Sequence, residues 1–203
     1  METLALAFSS GWASGINAYL VVLVLGIADR LGDFADIPDA LGRWEVLAVA
    51  GFMYVMEFVA DKIPYVDSTW DAISTAIRPT VGAVVGVLIA GDANSLDQAI
   101  GGVVGGGTAL VSHTVKAGSR LAVNSSPEPI TNIGLSVAED FAVLGVVWFS
   151  IEHPIAAAAI AATLLILGLV ALYFVARLIR RGWRRWKGRG DRGARSASGF
   201  EAR

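Results

Sequence analysis

The residues of this chain that could do chemistry are ionisable side chains inside apolar segments. His113, Lys116 and Arg120 recur at helical spacing on one face of GGVVGGGTALVSHTVKAGSRLAVN, residues 101–124. An ionisable group inside a membrane is costly, so it normally faces a partner or a water-filled cavity. This segment therefore predicts a polar site within a membrane domain.

Carboxylates occur in two other apolar segments. Glu57 and Asp61 lie four residues apart on one helix face, and Glu139 and Asp140 lie about 14 Å into their segment at helical rise. A buried carboxylate either pairs with a cation or takes up a proton. Both states suit proton or cation coupling, and a structural ion pair is the alternative.

One ion-pair network between the second (46–62), fourth (99–123) and fifth (130–150) apolar segments would explain these charges most simply. We expect Glu57 and Glu139 to face His113 and Lys116. Counted from the start of the fourth segment, Lys116 lies near the membrane boundary. Arg120 lies beyond that boundary, and we expect its side chain to reach the headgroups as an interfacial anchor.

Small residues interrupt the first and fourth segments. The pairs 101/105 and 102/106 are Gly-xxx-Gly motifs, which allow two helices to pack closely. The alternative is a broken helix whose free backbone groups line a site, as in transporters. Under this alternative the helix breaks are Gly11, Gly15, Pro79, Gly105, Gly106 and Gly107, and the site is lined by Asn17 and Thr108.

Three aspartates after the second segment are weak candidates for a metal site. Asp61, Asp67 and Asp71 supply the oxygen ligands that Mg²⁺ and Ca²⁺ prefer, but their spacing matches no ion-binding loop. Alternatively, Asp71 begins the next helix as an N-terminal charge. The absence of cysteine excludes thiolate metal sites. No hydrolase or nucleotide-binding motif occurs, and we expect no cofactor.

Six apolar segments must position these residues, so we predict an all-α, polytopic membrane protein with six transmembrane helices. Hydrophobic residues make up 55% of the 203-residue chain, as is typical of membrane proteins. The third segment is too short to cross alone and must recruit residues 70–78 or re-enter, which the sequence leaves open. The segments are residues 4–28, 46–62, 80–90, 99–123, 130–150 and 154–175.

Charge is divided unevenly along the chain. Residues 177–203 hold ten Lys and Arg against two acids, whereas residues 1–176 carry a net charge of −10. A basic tail after an apolar segment is typical of a cytoplasmic end that meets anionic headgroups. A nucleic-acid arm is the alternative, but we expect no nucleic-acid partner. The residues expected to meet lipid are Arg180, Arg181, Arg184, Arg185 and Lys187.

These patterns predict the domains and the location. We expect residues 1–176 to form the transmembrane domain and residues 177–203 to form a disordered tail. Six spans followed by a basic tail place both termini in the cytoplasm, and we expect the bacterial cytoplasmic membrane.

The two halves of the membrane domain share a weak repeat. Three segments per half is an odd number, so the halves would be inverted relative to each other, as in many transporters. We predict repeat one over about residues 4–91 and repeat two over about residues 97–176. The matching pieces are residues 14–19 with 105–110, 54–58 with 136–140, and 78–79 with 153–154.

Three stretches of the chain resemble one family of bacterial membrane proteins. They are SGINAYL, MEFVADKIPYVDSTWDAI with the following IRP, and GGGTALVSHTVKAGSRLAVNSSPEPITN. They resemble the family catalogued as domain of unknown function 4126. The likeness covers about residues 8–175, which leaves the basic tail outside it, and it implies no mechanism.

The sequence favours a small transporter or permease whose polar site lies between the first, second, fourth and fifth segments. The mixed charges suit a proton-coupled, zwitterionic or anionic solute. A membrane scaffold or accessory subunit with structural ion pairs is the second interpretation, and an intramembrane enzyme acting on a lipid-linked substrate is the third. A cavity that reaches Glu139 or His113 would favour transport, and a sealed core would favour a scaffold. The substrate and the oligomeric state stay open.

Overall fold

Six α-helices form the part of the chain that the structure describes, which confirms the predicted all-α class. The computed structural model describes residues 1–32, 34, 36–63, 66–91, 93–124 and 129–198. The helices are α1 (Glu2–Leu31), α2 (Trp44–Ala60), α3 (Val66–Ala90), α4 (Ser95–Asn124), α5 (Pro129–Glu152) and α6 (Pro154–Ser198).

Four of the described helices contain segments long and apolar enough to cross a membrane. The 25 residues of α3 form one helix of about 37 Å at 1.5 Å per residue. Residues 66–78 therefore extend the short third apolar segment to crossing length. The four segments are Glu2–Leu31, Val66–Ala90, Ile133–Glu152 and Pro154–Arg181.

α1 lies at the centre of the packing and contacts α2, α3, α4 and α5. Every residue from 9 to 15 is buried, because this stretch is built mostly of serine, glycine and alanine, which let neighbouring helices approach. Larger side chains on either side fill the core, among them Leu6, Trp12 and Leu25. A buried central helix can thus present its backbone, as well as its side chains, to its neighbours.

Glycines on α3 and α4 face each other in what we call the glycine seam, made of Gly82 and Gly86 against Gly101 and Gly105. A Cβ atom on Gly105 would collide with the carbonyl oxygen of Gly82, and one on Gly86 would collide with that of Gly101. Gly11 of α1 also meets this seam, since its Cβ would lie 2.5 Å from the Gly105 oxygen. The structure therefore agrees with the packing interpretation of the Gly-xxx-Gly motifs.

The helix break lies at Asn17, where φ is −148° and ψ is 93°. This corrects the predicted break positions, because α1 is helical at both predicted glycines, α3 is helical through its proline and α4 is helical through its glycine run. Gly11, Gly15, Gly105 and Gly106 pack closely against neighbouring helices, which needs only the absence of a Cβ and no break in the helix. The corrected positions are Gly11, Gly15, Pro79, Gly105, Gly106 and Gly107.

α6 is shared between two compact units, Met1–Gly168 and Leu169–Arg203. In the second unit the backbone is helical through Ser198, where the sequence predicts a disordered tail. Arg180 and Arg181 are exposed. The side chains of Arg184, Arg185 and Lys187 lie outside the described part of the chain.

Candidate functional site

Charged side chains from α2, α3, α4 and α5 meet in one buried group, which we call the ion cluster. Its members sit on helix faces one or two turns apart, so each helix contributes from a single face. Apart from Glu139, whose side chain is 14% exposed, all its charged side chains are at most 6% exposed. The members are Glu57, Asp61, Asp67, Asp71, Arg78, His113, Lys116, Arg120 and Glu139.

Arg78 of α3 joins two carboxylates to the histidine. Its guanidinium lies 2.6 Å from Glu57 Oε1 and 3.0 Å from Asp71 Oδ1. A third contact of 2.8 Å joins Arg78 to His113 Nδ1. A planar guanidinium with several donors can serve all three partners at once, which a lysine could not do with the same geometry.

These contacts define the protonation of His113. Arginine only donates, so Nδ1 of His113 must accept from Arg78. The other ring nitrogen, Nε2, then carries the hydrogen and donates to Thr75 Oγ1 at 2.9 Å, while the threonine hydroxyl donates to the Asp71 carbonyl oxygen. His113 is therefore a neutral imidazole that links α3 and α4.

Lys116 of α4 lies at the middle of the ion cluster. Its Nζ is 2.9 Å from Asp61 Oδ2, 3.5 Å from Glu57 Oε1 and 3.9 Å from Glu139 Oε2. It also donates to the carbonyl oxygen of Ile16, 2.9 Å away. The predicted approach of both glutamates to Lys116 is thus present in the structure.

Arg120 is 1% exposed, so the expectation that it anchors the chain at the membrane interface is wrong. Its guanidinium lies 2.7 Å from Glu139, 3.3 Å from the Asp61 carboxylate and 3.5 Å from Asp67. It also donates to the Asp61 carbonyl oxygen at 3.0 Å. α5 and the chain around the end of α2 cover this part of α4, which a count of residues along one helix could not reveal.

The break in α1 is stabilised by side chains from within and outside the helix. Asn17 Oδ1 accepts from the backbone N–H of Leu20, so it caps the second half of α1. Its amide donates to Asp140 Oδ1 at 3.0 Å. The preceding carbonyl, that of Ile16, is the one that accepts from Lys116. The break is therefore bonded directly to the ion cluster.

The other predicted site residues have separate roles. Asp140 lies beside Asn17 and forms none of the ion pairs given above. Thr108 donates to the carbonyl oxygen of Val104 in its own helix, 2.6 Å away, and does not reach the ion cluster. Asp61, Asp67 and Asp71 face arginine or lysine, and no group of three potential metal ligands occurs among the described residues.

The ion cluster holds more negative than positive charge. Five carboxylates face three cations, because His113 is neutral, which leaves a formal excess of two negative charges. Glu57 Oε2 is buried without a hydrogen-bond partner. A buried charge without compensation is expensive, so this arrangement favours the binding of a proton or another cation.

A cavity of about 320 Å³ reaches one side of the ion cluster. It lies between α1, α4, α5 and the first part of α6, and most of its wall is apolar. Its charged residues are Lys116 and Glu139. The remaining wall is Trp12, Ile16, Ser112, Val115, Ser119, Leu135, Ala138, Ala142, Leu164 and Leu165.

Sequence reasoning missed Arg78 as a site residue. A signal for it exists, since Asp67, Asp71, Ser74 and Arg78 form a polar stripe at helical spacing in α3, and all four are buried. The predicted third segment begins at residue 80, next to its proline, and so it leaves out the residues of this stripe.

The fold and site describe an all-α protein with four potential membrane-crossing segments and a buried ion cluster beside a broken helix. Residues 4–173 match the family described as Domain of unknown function (DUF4126), and the chain belongs to this family. Neither the curated proteins nor the solved structures contain a match to the chain.

Proposed function

We propose that the chain is a small permease whose ionisable site lies within the membrane, coupled to proton movement. The observation that carries the proposal is the break at Asn17, near the middle of α1, bonded to the ion cluster through Lys116. Non-helical backbone at membrane depth occurs where protein or water satisfies the freed groups. In transporters such broken helices form the substrate and ion sites.

Glu139 is the carboxylate best placed to exchange a proton. It is the ion-cluster residue with the most exposed side chain, and it lines the cavity. A proton on Glu139 would remove one of the two excess negative charges and weaken the contact with Arg120. Arg120 would keep Asp61 and Asp67 as partners. The site therefore supports two states that differ by one proton.

The membrane arrangement forms part of the same proposal. We infer six spans, with α2 and α4 crossing alongside the four apolar helices, as two inverted repeats in the bacterial cytoplasmic membrane. α2 supports this because Val49, Phe52 and Val59 are more than half exposed, as expected of a face turned to lipid. The basic residues in the last part of α6 favour cytoplasmic termini, with Arg180 and Arg181 meeting anionic headgroups.

Reconstitution of the full chain into liposomes loaded with a pH-sensitive dye tests the proposal. Proton movement is followed after addition of an anionic, a zwitterionic or a cationic solute. We expect at least one solute to drive protein-dependent proton movement and Glu139→Gln to abolish it. Glu152→Gln is the matched control, because Glu152 is an exposed carboxylate on the same helix.

Two results would contradict a permease. In the first, protein-containing and protein-free liposomes behave alike with all three solutes. In the second, the proton movement survives Glu139→Gln.

A membrane scaffold is the second candidate, supported by the deep burial and multiple pairing of most residues of the ion cluster. His113, Lys116 and Arg78 are at most 3% exposed, and each has several partners. Buried ion pairs of this kind can determine which helix faces meet. Two results together would favour the scaffold. The reconstituted protein would be stable but show no flux, and it would capture another membrane protein only while the apolar α2 face is intact.

A further inference from the structure

We infer that the cavity beside Glu139 takes a lipophilic cation, that is, an ammonium group attached to a small apolar body. This inference rests on the proposed function and names the substrate class of that site. It follows from the charge at the cavity wall, the donors already used there and the apolar lining.

The charge offered to the cavity is negative. The Glu139 side chain is 14% exposed, whereas that of Lys116 is 2% exposed. Glu139 uses Oε2 for its contacts with Arg120 and Lys116. Lys116 points to Asp61 and to the carbonyl oxygen of Ile16. A ligand in the cavity therefore meets a carboxylate before it meets an ammonium.

The ion cluster behind the cavity wall also carries a net negative charge. The five carboxylates and three cations of the ion cluster leave a formal excess of two negative charges. A positive charge placed against Glu139 would reduce this excess, and an anion would increase it. Electrostatic attraction is strong here, because the apolar wall keeps the local dielectric constant low.

The lining residues offer few donors to an anion. The Ser112 hydroxyl donates to the carbonyl oxygens of Trp12 and Ala109, and the Ser119 hydroxyl donates to that of Lys116. The Lys116 ammonium is engaged as described. Anion sites normally present several convergent donors, whereas the hydroxyls and the ammonium of this lining already donate to protein oxygens.

The rest of the wall suits an apolar body with a positive group. Leu135, Leu164 and Leu165 line the cavity together with Trp12. Indole is the side chain that attracts cations most strongly through its ring face. A volume of about 320 Å³ lies at the lower end of the range for small-molecule sites, so a ligand with one aromatic ring fits.

Isothermal titration calorimetry on the full chain in uncharged detergent micelles tests this inference. The probe is benzyltrimethylammonium, and 3-phenylpropionate is the anionic comparator of similar size. We expect the cation to bind saturably and the anion not to bind. Removing the negative charge that faces the quaternary ammonium should weaken cation binding by about 10- to 100-fold in Glu139→Gln. Glu152→Gln should leave the affinity unchanged.

A second variant keeps the test decisive if Glu139→Gln folds poorly. Ala142→Leu fills the cavity without removing a charge and should also abolish cation binding. The inference is overturned if the wild-type chain does not bind the cation, if the anion binds as well as the cation, or if neither Glu139→Gln nor Ala142→Leu weakens binding.

Binding and flux measurements separate this inference from the permease proposal. Cation binding without proton movement would support the substrate class and reject the permease. Proton movement driven by an anionic or zwitterionic solute, without cation binding, would support the permease and reject the substrate class.

Discussion

The two sides of α4 differ in how tightly they pack. Towards α3, the glycine seam brings the two backbones into contact, so no side chain fits between them. On the same side, His113 is bonded to Arg78 and Thr75 of α3. Towards α5 and α6, the packing leaves a cavity of about 320 Å³. We call these the closed side and the open side.

This difference in packing indicates which side of α4 is held in one geometry and which side a ligand or water can reach. Closed packing holds Arg78 and its carboxylates in one geometry, which a buried ion pair needs in order to offset its desolvation. The open side exposes part of Glu139 to a space that a ligand or water can enter. Under the permease proposal, the closed side is the fixed frame and the open side is the site of exchange.

The largest difference between the two sides should appear when charge is removed. Arg78→Gln leaves Asp71 without the cation it contacts and Glu57 with only the more distant Lys116, so we expect a loss of about 3–5 kcal/mol in the free energy of unfolding. Glu139→Gln removes one of the excess negative charges and one charged hydrogen bond, so we expect a loss of only about 1–2 kcal/mol. Unfolding in mixed micelles, followed by tryptophan fluorescence, measures both.

A second substitution should restore part of the stability that Arg78→Gln loses. Glu57→Gln placed in the Arg78→Gln background removes a carboxylate that has lost its closest cation and should recover part of the lost stability. Equal losses for Arg78→Gln and Glu139→Gln would break the comparison, since the open side would then be as rigidly paired as the closed side.

The next difference concerns the glycine seam itself. Gly105→Ala places a methyl group against the Gly82 carbonyl, and we expect a loss of about 1–3 kcal/mol from overpacking. Gly107→Ala, two residues further along α4, meets no atom within 4 Å and should stabilise the helix by up to about 1 kcal/mol. The melting temperature of each variant in the same detergent measures the difference. A tolerated Gly105→Ala would mean that α3 and α4 can separate.

Much of the fold is readable from the sequence because its signals are local. Apolar length predicts the helices of the described chain, and Gly-xxx-Gly spacing predicts the close contact in the glycine seam. Glu57, Lys116 and Glu139 are recognisable as buried charges, since each lies inside an apolar segment. The inverted repeat stays a prediction.

Other features depend on contacts between distant residues and so escape sequence reasoning. Arg120 looks interfacial when counted along α4 alone, but Asp61, Asp67 and Glu139 surround it. The broken-helix alternative to close packing puts the breaks at glycines and at Pro79. The break lies at Asn17 instead, where an amide side chain caps the second half-helix and Lys116 binds the carbonyl of Ile16.

The smallest expected effect on stability comes from filling the open side. Ala142 lines the cavity, so leucine there can occupy existing space, and we expect the free energy of unfolding to change by less than about 1 kcal/mol. Gly145→Ala on the same helix meets no atom within 4 Å and is the matched control. Both variants should keep the stability of the wild-type chain when unfolded in mixed micelles. Only Ala142→Leu should lose proton movement in liposomes. A loss of about 2 kcal/mol or more would mean that the cavity closes in the folded protein, and α4 would then be tightly packed on both sides.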